Sequence, residues 1–294
     1  MYYIVYSFFY LLSLIPWRVM YFISDGLYGL VYYIIGYRKE VVMNNLAITF
    51  PEKTEQERKK IAKQFYHQFI DSLIEMIKLI SISKKEFERR HTVNMEIINK
   101  YYDKIDRVEV MTGHFFSWEF ANLGASLTSK YPFLVVYMPL SNKIFDKIMY
   151  NMRSKFGTVL IPVTKFNTNF HQYAKDKYNL ILVADQNPGN PKKAYWLPFF
   201  GKMAPFVKGP EKGARTNNAA IFYAHFYRVK RGYYRADIEF ITDNANNFAE
   251  GELTKLLIKK IEESIRQQPA GYLWSHKRWK HVFDEKKYGH LVIK

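Results

Sequence analysis

"RVEVMTGHFFSWEF", residues 107–120, is where the chain changes period. With Ile105 just upstream, Val108, Val110 and Met111 form a short β-type run that enters Gly113. A helix fits over 116–129, and "PFLVVYMP" supplies the next strand between Pro132 and Pro139. Strand, turn, helix and strand in succession form the unit of a parallel sheet.

The unit repeats downstream. "NKIFDKIMYNMRSKFG" predicts a helix stopped by Gly157, with "TVLIPV" as the strand after it. A helix near 167–177, the strand "NLILVAD", a long loop, a helix near 209–218 and the strand "AAIFYAHFYRV" follow. "YYRADIEFIT" adds an antiparallel edge strand after a turn, and 250–267 forms a closing helix. Upstream, Ile61, Phe65, Phe69, Leu73, Met76 and Leu79 recur every three or four places, the pattern of an amphipathic helix over 52–82, with Thr54 and Glu57 placed for a capping box. "SKKEFERRH" adds a short charged helix. The expected fold is α/β, a mainly parallel mixed sheet flanked by helices.

Residues 1–37 are almost wholly apolar or aromatic, with Arg18 and Asp25 their only charges. Pro16 and Arg18 divide them, which fits a tilted span, a kinked span or two interfacial helices; a buried hairpin in a soluble protein is the alternative. No charged segment precedes the apolar run and no small-residue cleavage site closes it, so a secretory signal is not expected. Arg38 and Lys39 favour keeping the rest of the chain on the cytoplasmic side. Two parts result: a membrane-anchoring helical segment, 1–37, and a catalytic domain, 38–294.

Composition narrows the chemistry. The net charge is +17, which calls for an anionic partner, and aromatics make up 18% of residues, a composition suited to a membrane–water interface. With no cysteine, a thiol nucleophile, thiolate metal ligands and disulfides are excluded. His114 has no second His at metalloprotease spacing, so no metal is implied. On one ideal helix His114 and Glu119 would stand about 140° apart and would not meet. With the strand ending at Gly113, Glu119 can instead fold back from the next helix onto one imidazole nitrogen, leaving the other as a general base at a strand's carboxyl end.

"TGHFFSWEF" resembles the His-x4-acid motif of the lysophospholipid acyltransferase superfamily, in the Gly-His-Phe-x-x-Trp-Glu form of the late acyltransferases of lipid A biosynthesis, the lauroyl and myristoyl transferase group. "YRKEVVMNNLAITFPEKTEQER" is similar to that family's N-terminal signature and "MRSKFGTVLIP" to its second block. "ADQNPGNPKKAYWLPFFGKMAPFVKGP" resembles its Asp-Gln block and "PAGYLWSHKRWK" its closing segment, all in family order over 38–280. The Thr usual after Phe-Phe-Gly is absent, and Ala204, Pro205, Phe206 and Val207 stand there instead.

The resemblance implies that His114 deprotonates an acceptor hydroxyl, that Glu119 orients and charges it, and that no acyl-enzyme forms. It implies Arg153 as a ligand for acceptor phosphate or the developing oxyanion. Asp185 and Gln186 would shape the substrate pocket, and Lys193 and Lys208, among the cations of that loop, would line an anionic rim. No cofactor is implied; the co-substrate is an acyl carrier protein thioester or acyl coenzyme A. The partners are acyl carrier protein, a phosphorylated lipid acceptor and inner-membrane lipids, with the catalytic domain on the cytoplasmic face. A lysophospholipid, aminolipid or glycolipid mannoside is the alternative acceptor. A thioesterase using the same residues is a further reading, and a non-enzymatic basic membrane- or nucleic-acid-binding protein is the alternative of another class; no recognised nucleic-acid module supports the last.

Overall fold

The computed structural model describes residues 1–293. It begins with helices α1 (Tyr2–Leu14) and α2 (Trp17–Gly29), the latter continued by a π-helical run, Leu30–Ile35. α3 (Lys39–Thr49) and α4 (Glu55–Ser81) follow. The capping box forms as its sequence predicts: the Glu57 amide donates to Thr54 Oγ1 at 3.3 Å, and the Thr54 amide donates to Glu57 Oε2 at 2.7 Å. α4 buries Phe65, Tyr66, Ile70, Ile74 and Leu79, one stripe of its surface.

α5 (Lys84–Arg90), β1 (His91–Val93) and α6 (Glu96–Asn99) lead to β2 (Arg107–Thr112), α7 (Trp118–Thr128) and β3 (Phe133–Tyr137). Then come α8 (Lys143–Arg153), β4 (Val159–Pro162), α9 (Phe166–Tyr173) and β5 (Tyr178–Val183). β6 (Ala194–Phe199) and β7 (Lys202–Val207) form a separate antiparallel hairpin, and α10 (Gly209–Thr216), β8 (Ala220–Lys230), β9 (Tyr233–Thr242), α11 (Glu252–Gln267) and α12 (Glu285–Tyr288) complete the chain.

Among the described residues the main sheet has seven strands in the order β1-β9-β8-β2-β5-β3-β4. β8, β2, β5, β3 and β4 run parallel; β9 is antiparallel to β8, and β1 joins it in its own direction. This is the mainly parallel mixed sheet expected. Elements beyond those the sequence predicts include α3, α6 and α12, the β6–β7 hairpin and β1. Residues 194–207 are a paired hairpin rather than an open loop, because Trp196 and Phe199 on it are fully buried. β1 is too short to carry a period of its own.

Close packing fixes the middle of α7. A Cβ at Gly124 would collide with the His91 imidazole, so only glycine lets helix and β1 meet there. The sheet also buries an unpaired carboxyl: neither oxygen of Glu109, on β2, has a hydrogen-bond partner among the described residues, and burial pushes its pKa up to about 8. The folded pKa lies above the usual 4.5, so the neutral form's contribution is fully present below about pH 4.5 and is lost as pH rises through 8. Burial raises Glu75 in the same direction, to about 7. Urea midpoints are therefore expected to fall between about pH 6.5 and 8, because the depressed His91 and His276 act in the opposite sense below pH 6.5. Glu109→Gln should recover up to about 5 kcal/mol at the alkaline end and flatten that fall; an unchanged slope in that variant would refute the assignment.

Candidate active site

β2 and β5 are paired in register, Thr112 opposite Val183. Each chain continues two residues past that pair, so His114 and Asp185 emerge side by side at the carboxyl edge of the sheet. His114 Nδ1 lies 2.5 Å from Asp185 Oδ1, and the His114 amide donates to Oδ2 at 3.0 Å. Asp185 is 1% exposed. Burial alone would raise its pKa, but the His114 charge, the two bonds from His114 and one from the Tyr272 hydroxyl outweigh it and hold the carboxyl at about 2. The carboxylate fixes His114 as the tautomer with hydrogen on Nδ1, and Nε2 has no partner among the described residues. Trp118 stands edge-on to the imidazole, ring centroids 6.1 Å apart.

Glu119 does not hold His114, contrary to the sequence-based expectation. It is buried in the first turn of α7 and accepts a forked pair from Arg153: Nη2 to Oε1 at 2.6 Å, and Nε to Oε1 and Oε2 at 3.0 and 3.1 Å. Trp118 Nε1 donates to the same carboxylate at 3.0 Å. The physical reason is the partly buried guanidinium at the end of α8, which needs an anion; burial lowers the Arg153 pKa, but Glu119 more than compensates and the net shift is upward. Arg153 keeps Nη1 without a partner among the described residues.

The last segment closes the site from the other side. Leu273 donates its amide to the His114 carbonyl at 3.1 Å, and Phe116 donates to the Gly271 carbonyl at 2.8 Å. Arg38 reaches the Ser275 carbonyl at 3.0 Å, and Asn45 donates to the Trp274 and His276 carbonyls, both at 2.7 Å. Asn187, two residues beyond Asp185, donates its amide to His276 Nε2 at 3.2 Å and accepts from Arg278 Nη1 at 3.0 Å. Burial, then the neighbouring Arg278, pushes the His276 pKa down to about 4, so it stands neutral beside the pair. The sequence blocks around 38, 114, 185 and 276 thus converge on one place. Asn45, Asn187, Tyr272 and Arg278 were not singled out from sequence; their signal was membership of those blocks.

Gln186 lies half-buried next to Asp185, with no hydrogen bond to its amide among the described residues. Lys193 and Lys208 flank the paired Ala194 and Val207, at the open end of the β6–β7 hairpin; Lys193 is exposed and Lys208 Nζ sits 4.4 Å over the Tyr195 ring. No contact joins either lysine to His114 or Asp185. A narrow apolar crevice between sheet and α7 is lined by Thr112, Gly113 and Trp118 at one end and by Ala125, Phe133 and Asn179 at the other. Asn179 pairs with Val108, and the five strand steps from there to Gly113 give a depth of about 16 Å. Among the described residues no cluster of His, Asp and Glu is arranged to hold a metal ion.

Residues 1–281 match the family model described as bacterial lipid A biosynthesis acyltransferase. The chain is 23% identical over 270 residues to the lipid A biosynthesis lauroyltransferase of Escherichia coli (strain K12), covering 90% of this chain and 87% of that protein. It is 21% identical over 270 residues to the palmitoleoyltransferase of the same strain, covering 90% and 86%. With the lipid A biosynthesis acyltransferase of Haemophilus influenzae (strain ATCC 51907 / DSM 11121 / KW20 / Rd) it shares 21% over 273 residues, 90% and 82%. A match that runs through the helices, the sheet and the closing segment alike means that this chain belongs to the bacterial lipid A biosynthesis acyltransferases, and it is an acyltransferase.

Proposed function

We propose that the protein moves a fatty acyl chain from the thioester of an acyl carrier protein to a hydroxyl of a lipid A precursor, at the cytoplasmic face of the inner membrane. The observation that carries this reading is the His114–Asp185 pair, with Nε2 left without a partner among the described residues at the carboxyl edge of the sheet. His114 Nε2 takes the hydroxyl proton as the oxygen attacks the thioester carbonyl; the new C–O bond forms, the C–S bond breaks, and the proton passes to the departing thiolate. Asp185 stabilises the imidazolium. The Glu119–Arg153 pair offers Nη1 to the acceptor phosphate or the oxyanion, and Lys193 and Lys208 supply outer positive charge to a phosphorylated acceptor. The crevice receives the hydrocarbon chain, which excludes water from the thioester.

The test is mass spectrometry of lipids after incubation with acyl carrier protein thioesters and a tetra-acylated, phosphorylated disaccharide lipid. One added acyl mass supports the reading. Acylation of a different hydroxyl lipid overturns the acceptor, transfer only from the coenzyme A thioester overturns the donor, and release of free fatty acid alone marks a hydrolase. Ala125→Leu, which fills the deep end of the crevice, should move donor preference to shorter chains by several-fold in kcat/KM; an unaltered preference would remove the crevice from the acyl path.

A further inference from the structure

Among the described residues no single helix is long and apolar enough to cross a membrane; α1 and the α2 run through Ile35 meet at 108°. The bend is held by the body of the protein. Pro16 interrupts the helix, leaving the carbonyls of Ser13 and Ile15 without helical donors, and Lys78 Nζ from α4 reaches both, at 2.5 and 2.6 Å, with Ser81 Oγ on Ser13 at 3.1 Å. α2 is fastened along its polar side: Ser24 donates to the buried Asp71 at 2.7 Å, Tyr21 to the buried Glu75 at 2.8 Å, and Arg231, in the turn between β8 and β9, bridges Asp25 and Asp71 at 2.6 Å each. Straightening the pair into a span would strand these groups in hydrocarbon. At 13 residues α1 is about 20 Å long, short of the roughly 30 Å hydrocarbon core.

The outward faces are apolar. Tyr3 is 77% exposed, Phe22 80% and Ile34 77%, with Phe8 and Leu11 also exposed. They do not stop at the hairpin. Phe9 packs on Phe145 of α8, ring centroids 5.8 Å apart, and Lys147 Nζ lies 4.5 Å over the Tyr2 ring. Beyond α8, Met138 (66% exposed), Leu140 and Val163 are exposed just past the ends of β3 and β4, the same sheet edge that carries His114. Arg18, Lys143, Lys147 and Lys165 are exposed among them, and the chain carries +17 overall, the complement of an anionic phospholipid leaflet.

We infer that α1 and α2 lie as a bent, non-spanning bed in one leaflet, continuous through α8 with the catalytic edge, so that a lipid acceptor reaches His114 sideways from that leaflet. The inference rests on the membrane-bound reading above and fixes its geometry. The chain has no cysteine, so single-cysteine variants at Tyr3, Phe22, Ile34 and Met138 can carry a nitroxide label without background. With phosphatidylethanolamine–phosphatidylglycerol vesicles and protein added from outside, every label should lie within about 15 Å of the outer headgroups, half the core thickness. Leu11→Glu and Phe145→Glu should each weaken vesicle binding at least about tenfold.

A label at Tyr3 or Phe22 beyond the midplane would overturn the bed while leaving the protein membrane-bound. Unchanged binding by Phe145→Glu would overturn the continuity with the catalytic body. Failure of the unsubstituted chain to bind vesicles would defeat both the inference and the membrane reading, and detergent assays of acyl transfer would still judge the chemistry separately.

Discussion

His114→Ala lowers acyl transfer about 10³–10⁴-fold, with the protein folded as before and the lipid product lost from mass spectra. The size of the expected loss follows from what remains. His276 lies near, but its Nε2 accepts from Asn187 and its pKa is pushed down to about 4, so it is the weaker base and is already engaged. Positioning by the crevice and by Arg153 survives the substitution, which leaves a residual rate above that of water. His114 is 24% exposed in its side chain, so alanine costs little packing. Retention of more than about a tenth of the activity would remove His114 from the chemistry.

The second large effect separates the two carboxylates. Asp185→Asn keeps the shape but removes the anion that stabilises the imidazolium. A fall of about 10²–10³-fold in kcat with little change in KM is expected. Glu119→Gln has another signature. It leaves the partly buried Arg153 guanidinium half-paired, so the protein loses about 2–3 kcal/mol in urea unfolding, and activity falls because the Arg153 fork and the start of α7 loosen. If Glu119→Gln lowered kcat with stability intact and Asp185→Asn lost stability with kcat intact, the roles assigned here would be reversed.

That contrast marks how much of the site was legible from sequence. His114 stood out because an apolar run ended in Gly-His, and its place at a strand's carboxyl edge followed from the strand period alone. The carboxylate that serves it was assigned to the nearer acid in sequence. Five residues of separation made Glu119 the natural choice, whereas Asp185 lies 71 residues away and comes alongside only because β2 and β5 pair with Thr112 opposite Val183. A one-residue slip of that register would turn Asp185 to the other face. The sequence marks Arg153 as a phosphate ligand, and the need of a partly buried guanidinium for an anion draws Glu119 to it.

By itself the sequence determined the alternation of helices and strands, the capping of α4, an apolar and aromatic N-terminal segment, and the presence of a histidine at a strand end, whereas α8 ends at Arg153, four residues before the Gly157 expected to stop it. These are local matters of period, propensity and backbone hydrogen bonding. Only the tertiary structure decided which acid meets His114, that the blocks around Arg38, Asn187 and Arg278 close over it, that residues 194–207 pair as a hairpin, and that the N-terminal helices bend by 108° onto α4. Each of these depends on charges and backbone groups that find partners far away in the chain, at distances set by strand register and by what a buried charge requires, and no local pattern encodes those distances.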